Sequence, residues 1–284
     1  MKTTGNPANI LTDAMAALGT EDHVPMTGND FIGPEGMAHC GVCREAKEYR
    51  LPNGRYVPAL CLCGRKRRAA EEIQRREAEE MQRVTELARY SIMDDRLRAA
   101  TFDAATIRDD GKRPFEIARR YVANFDKVSA SPDLNGLLLY GPTGTGKSYL
   151  AACVANALMA RRVPVLMTSI IRLTGIGADD LAETLRQMKR AQLLILDDLG
   201  AERGTDFKLE QVYNIIDDRA NSNRPMLVTT NLTMDDMKNA GDMRYNRIWE
   251  RVRSMCYPVR MDGESWRRQT TLNAMNRLKR LYEG

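Results

Sequence analysis

The chain has 284 residues, 43 Lys and Arg against 38 Asp and Glu, a formal charge of +5, and 43% hydrophobic residues. That balance suits a soluble chain with one large domain and an appendage, and its mild basic excess is compatible with a nucleic-acid partner. No apolar run approaches the ~20 residues needed to cross a bilayer, and Met1 to Glu21 lacks the pattern of a secretory leader, so a cytoplasmic protein with no membrane partner is expected.

Residues 1–39 are rich in Gly, Pro, Asn, Thr and Asp and hold no apolar period. They read as a flexible leader with one short helix around Ile10 to Leu18.

Residues 40–64 carry Cys40, Cys43, Cys61 and Cys63. In a reducing compartment four clustered thiols point to metal rather than to disulfides. Between the two pairs, Pro52-Asn53-Gly54 separates Tyr49-Arg50-Leu51 from Arg55-Tyr56-Val57, and Asn-Gly between such segments signals a hairpin because both residues tolerate positive φ. Two cysteine pairs held by a hairpin describe a zinc-ribbon-like module with a closed tetrahedral Zn²⁺ site. The second pair, Cys-x-Cys, is one residue tighter than usual, and His39 and His23 are spare candidate ligands. Cys153 and Cys256 stand alone and are expected in the core.

Around the cysteines lie Arg44, Lys47, Tyr49, Arg50, Arg55 and Tyr56, followed by Arg65, Lys66, Arg67 and Arg68. Basic residues interleaved with aromatics suit single-stranded nucleic acid by charge and stacking, and equally suit a protein partner. Residues 65–98 then read as a charged connecting helix with Ile73, Met81, Val84, Leu87 and Ala88 on one face.

From Ala99 to residue 284 strand-like and helical runs alternate. Strands are expected over Leu137–Tyr140, Val163–Thr168, Leu193–Leu196, Met226–Thr229 and Tyr257–Met261, with helices over Lys147–Ala160, Asp179–Arg190 and Leu209–Asn221. The alternation implies an α/β fold, a parallel sheet with helices on both faces.

The first of these strands runs into Gly141-Pro142-Thr143-Gly144-Thr145-Gly146-Lys147-Ser148, with Tyr149 next. Strand, glycine-rich loop and helix are the context of a P-loop. Its backbone N–H groups and the helix N-terminus face the phosphates of ATP; Lys147 is expected to reach the β- and γ-phosphates and Ser148 to ligate Mg²⁺. The strand Leu193–Leu196 ends in Asp197-Asp198, a Walker-B arrangement. Asp197 is expected on Mg²⁺, and Asp198 is placed to polarise the attacking water, with Glu202 as its alternative. Asn231 ends the next strand, where an amide can sense the γ-phosphate.

These stretches resemble AAA+ ATPases of the DnaC/DnaI helicase-loader type and their relatives, the IstB-like transposition ATPases. The resemblance covers roughly Tyr90 to Arg268 and is carried by Asn135–Tyr149, LLILDDLGAE at 193–202, RPMLVTTNL at 224–232 and RIWERVRSMCYPVRMDGESWRR at 247–268. It implies that Asn231 is sensor 1, that Arg251 is an arginine finger reaching a neighbour's ATP, and that Arg267 is a second sensing arginine. It places Arg219 at a position usually arginine, without a clear role. The few residues after Met261 imply no full lid domain, as in such loaders. The resemblance further implies slow ATP hydrolysis stimulated by DNA or a partner, self-association through the ATP site, and delivery of a replicative ring helicase onto single-stranded DNA, with the cysteine module docking the helicase. The alternative is a helper ATPase acting on DNA with a transposase. A small-molecule kinase shares the P-loop but not the Asn231 and Arg251 elements. The basic C-terminal helix with Arg267, Arg268, Arg277, Lys279 and Arg280, and Arg172 more weakly, are further candidate contacts to DNA.

Overall fold

Gly-rich and Pro-rich sequence near the amino end folds here because buried charge holds it. In the computed structural model, which describes residues 19–91, 93–131, 133–173, 178–200, 206–239 and 243–283, the chain divides into two units, 1–79 and 80–284. In the first, β1 (Phe31–Ile32) pairs with β2 (Ala38–His39), and β3 (Glu48–Arg50) pairs antiparallel with β4 (Tyr56–Pro58). The turn joining β3 to β4 is the expected Asn-Gly turn, and Gly54 takes the positive φ of 83° it requires. Glu48 is fully buried and accepts from His23 Nδ1 at 2.6 Å, Val24 N at 2.8 Å and Ala38 N at 2.7 Å. Burial acts to raise its pKa, but those three donors more than offset this and hold it below the ordinary glutamate range.

These contacts revise the expected leader: residues 19–39 belong to the cysteine unit, fastened by Glu48 and by a Lys47–Asp30 ion pair of 2.6 Å. Charge-assisted bonds made across 17 to 25 residues leave no periodic trace in the sequence. The expected helix around Ile10 to Leu18 lies outside the described residues. The charged helix α1 runs Leu62–Tyr90, and the division between the units falls inside it rather than at 98/99. Of its expected apolar face only Val84 and Leu87 are buried; Ile73 and Met81 are exposed.

In the second unit the longer helices are α2 (Lys112–Ala123), α3 (Lys147–Ala160), α4 (Ala178–Arg190), α5 (Asp206–Asn221), α6 (Met243–Met255) and α7 (Trp266–Tyr282). The strands β5 (Gly136–Tyr140), β6 (Val165–Ser169), β7 (Leu193–Asp197), β8 (Met226–Thr230) and β9 (Cys256–Arg260) form one parallel sheet in the order β6-β7-β8-β5-β9. Side chains alternate across each strand. Leu137, Leu139, Val165, Met167, Leu193, Ile195 and Leu227 join one apolar cluster with α2 and α3. Leu138, Leu166, Leu194, Leu196, Met226 and Val228 join a second with α5 and α6. Helices therefore cover both faces, as the continuous apolar runs demand. Cys153 and Cys256 are buried in these clusters.

Arg219 proves structural. It is 3% exposed, and its guanidinium donates to the carbonyls of Ala191 (2.8 Å), Gln192 (3.2 Å) and Pro225 (2.7 Å). It thereby ties the residues that lead into β7 and β8.

Candidate functional site

The site forms where β5, β7, β8 and β9 end, because a parallel sheet brings its carboxyl ends to one edge. After Tyr140 the chain turns at Gly141, Gly144 and Gly146, with φ of 136°, 86° and 97°. Two of these glycines are also forced by close approach: a Cβ on Gly141 would sit 2.2 Å from the Met261 carbonyl, and one on Gly144 2.1 Å from Ser265 Oγ. The segment after β9 is thus pressed onto the loop, and Trp266 N donates to Gly144 O at 2.9 Å. Thr145 Oγ1 braces the loop by donating to Pro142 O at 3.0 Å.

Lys147 opens α3 and is 5% exposed. Its ammonium donates to Gly141 O at 2.8 Å and Pro142 O at 2.7 Å, so it is held at the loop. Burial lowers its pKa, the Asp198 and Asp197 carboxylates oppose that, and the Arg267 charge adds to it. Arg267 therefore lies within electrostatic reach of the loop, although the side chain is exposed. Tyr149 follows Ser148 on α3 and is partly buried, with its side chain packed against the first apolar cluster.

Asp197 ends β7. Burial raises its pKa, while hydrogen bonds from Thr229 and Ser148 oppose the rise and the neighbouring Asp198 adds to it. Ser148 is therefore near enough to act on the Asp197 carboxylate, and a hydroxyl with a carboxylate is the hard oxygen-donor pair that Mg²⁺ takes. Asp198 follows with a φ of 56°, left-handed for a non-glycine residue, and Asn231 Nδ2 lies 3.4 Å from its Oδ1. Glu202 lies outside the described residues, as does the side chain of Arg172.

Trp266 was not singled out from the sequence as a site residue. Its ring lies 4.0 Å under the Arg108 guanidinium, and together they wall a small cavity with Ile107, Pro114, Thr145 and Met261 beside the loop. A lone Trp inside a basic run was the available signal.

Arg251 is not among these groups. It precedes β9 and lines a polar pocket with Asn135 and Asn223, residues that precede β5 and follow α5. Strands of five residues separate the two edges by roughly 16 Å. Arg253 Nε is bonded back to Trp249 O at 3.1 Å, and Arg247 is exposed. A groove of about 750 Å³ between α4 and α5 lies away from the phosphate loop.

In the first unit the Sγ atoms of Cys40, Cys43 and Cys61 lie within 4.8 Å of one another, and Cys40 and Cys61 are buried. Cys63, expected as the fourth ligand, is not within that mutual distance; its thiol pKa is raised, chiefly through Cys43. Three convergent sulfurs fit three positions of the tetrahedral thiolate set of a structural zinc site, and Cys63, two residues after Cys61, is the fourth thiol of the unit. The two histidines are occupied elsewhere: His23 on Glu48, and His39 on Glu35 and on the Arg44 carbonyl at 2.9 Å.

Among the described residues no helix is long and apolar enough to cross a membrane. A family model described as IstB-like ATP binding protein matches residues 69–274. The phage-like element PBSX protein XkdC of Bacillus subtilis (strain 168) is 32% identical over 148 residues, 49% of this chain and 55% of that relative. The replicative helicase loader DnaI of the same organism is 24% identical over 255 residues, 82% of this chain and 80% of DnaI. A crystal structure of DnaI superposes with a TM-score of 0.52 at 28% identity, covering 61% of this chain and 96% of that one. The likeness agrees with the P-loop AAA+ architecture that the sequence implied.

Proposed function

The chain belongs to the family of IstB-like ATP binding proteins, and from that premise we propose that it is an ATP-switched loader delivering a ring-shaped replicative helicase onto single-stranded DNA. The observation that carries this reading is the reach of the similarity to the helicase loader DnaI. It covers 82% of the chain, more than the second unit contains, so it includes part of the cysteine unit as well as the ATPase.

The chemistry assigned to the site is ATP hydrolysis. The loop N–H groups and Lys147 bind the phosphates, with Ser148 and Asp197 as the residues that would hold Mg²⁺. Bound Mg²⁺ supplies charge neutralisation at the β- and γ-phosphate oxygens. Asp198 orients and deprotonates the attacking water, Asn231 holds the Asp198 carboxylate, and Arg267 reads the phosphate charge. Arg251, at the opposite edge of the sheet, serves the site of a second copy. Hydrolysis is then slow in the isolated chain and rises in an assembly on DNA. The four cysteines hold structural Zn²⁺ in the unit that docks the helicase, and this work belongs to the cytoplasm.

The family model itself favours a second reading, a transposition helper ATPase that acts on DNA with a transposase. Capture from source lysate with ATP separates them. Recovery of a ring helicase supports the loader; recovery of a transposase in its place overturns it.

A further inference from the structure

Thr229 is fully buried on β8, where valine would fill the same space without a polar atom to satisfy. Its hydroxyl is committed twice. Thr229 Oγ1 donates to Asp197 Oδ1 at 2.7 Å and accepts from the backbone N–H of Asp198 at 2.9 Å. A threonine hydroxyl has one proton to give, and here it goes to the carboxylate. The Thr229 carbonyl completes the clamp by accepting from Leu199 N at 2.9 Å.

The sheet register explains the meeting. Leu196 stands opposite Val228, so the next step puts Asp197 beside Thr229. Both continue the row of Ile195 and Leu227, which packs against α3, the helix that carries Ser148 near its start. Asp198 then leaves the strand in the left-handed region, at φ 56°. That conformation is unfavourable for a non-glycine residue and persists only where its surroundings hold it. What holds it is the Thr229 hydroxyl on its amide.

We infer that Thr229 is a positioning residue for the nucleotide site, aiming the Asp197 carboxylate at Ser148 and fixing the turn that presents Asp198. The inference rests on the nucleotide-site reading above. It does not give Thr229 a contact with nucleotide. The other buried threonines are placed differently: Thr145 Oγ1 donates to Pro142 O at 3.0 Å, Thr230 Oγ1 accepts from Leu232 N at 3.2 Å, and Thr168 Oγ1 has no partner.

Thr229→Val removes the hydroxyl at constant volume, and Thr229→Ser keeps it. The probes are ADP with a chelator, and ADP with Mn²⁺ followed by electron paramagnetic resonance. In the valine variant ADP affinity without metal is expected within about twofold of wild type. Its Mn²⁺ affinity in the presence of ADP is expected to fall about tenfold, the loss of one hydrogen bond to a charged group. The serine variant is expected to stay within about threefold of wild type in both measurements. Unchanged Mn²⁺ affinity in the valine variant overturns the assignment. So does a serine variant as impaired as valine, or a parallel loss of metal-free ADP binding, which is what a merely structural role would give. If the valine variant does not fold, the serine result decides. Failure of the wild-type chain to take up ADP overturns the nucleotide-site reading itself, whereas wild-type uptake with a normal valine variant overturns only the role of Thr229.

Discussion

Arg251 Nε stands 3.0 Å from Asp217 Oδ1, and the other oxygen of that carboxylate accepts from Asn221 Nδ2 at 2.8 Å. The contact engages the inner edge of the guanidinium. The Arg251 side chain is 45% exposed. A guanidinium exposed to this degree is accessible to a partner outside its own fold, as the proposed finger role requires.

Arg251→Ala should keep nucleotide binding and lose stimulated hydrolysis on the order of 100-fold or more, as expected when an arginine finger is removed. Because the finger would serve another copy, mixing this variant with Lys147→Ala chains should restore part of the phosphate release. Undiminished turnover by Arg251→Ala alone would reject the assignment in trans.

Lys147→Ala removes an ammonium that now bonds to the Gly141 and Pro142 carbonyls at the loop. The fold should survive with some loss of stability, since the exposed Pro142 can turn to water while the buried Gly141 carbonyl loses a donor. Calorimetry with ATP and magnesium should register no uptake, and helicase loading should fail with it. Binding within about threefold of wild type would contradict the phosphate role of this lysine, which supplies a full charge–phosphate contact.

Cys43→Ser should lower bound zinc from about one equivalent per chain and loosen the first unit, because structural zinc supplies folding free energy directly. Nucleotide binding by the second unit should be unaffected. Metal analysis, far-ultraviolet circular dichroism and calorimetry on the same sample check all three. A full complement of zinc in the variant would remove Cys43 from the ligand set.

Arg219→Lys tests the clamp on the strand entries. A lysine offers one nitrogen where the guanidinium reaches four carbonyls, those of Met188, Ala191, Gln192 and Pro225. At least one buried carbonyl is orphaned, at a cost on the order of 3 kcal/mol with the lost packing. The variant should melt well below wild type while retaining nucleotide affinity at low temperature. An unchanged melting point would show that Arg219 is not the tie.

The P-loop was legible because its requirements are local. Three glycines supply positive φ within six residues, and the helix begins at the lysine that follows. The five strands were legible for a similar reason: buried parallel strands are short continuous apolar runs, and each expected run overlaps its strand. The cysteine pairs and the Asn-Gly turn between them also carry their meaning in spacing alone.

What the tertiary structure decided concerns residues far apart in the chain. The sheet order places β8 between β7 and β5, and only that order brings Thr229 beside Asp197, 32 residues away. The same holds for Glu48 gathering residues 23 to 38 into the first unit, for Arg219 reaching past β7, and for Arg251 standing at the edge opposite the loop. Periodicity reports which face of an element is apolar. It carries no record of which distant partner satisfies a buried hydroxyl, carboxylate or guanidinium, because such a bond exists only once the chain between the two groups has folded.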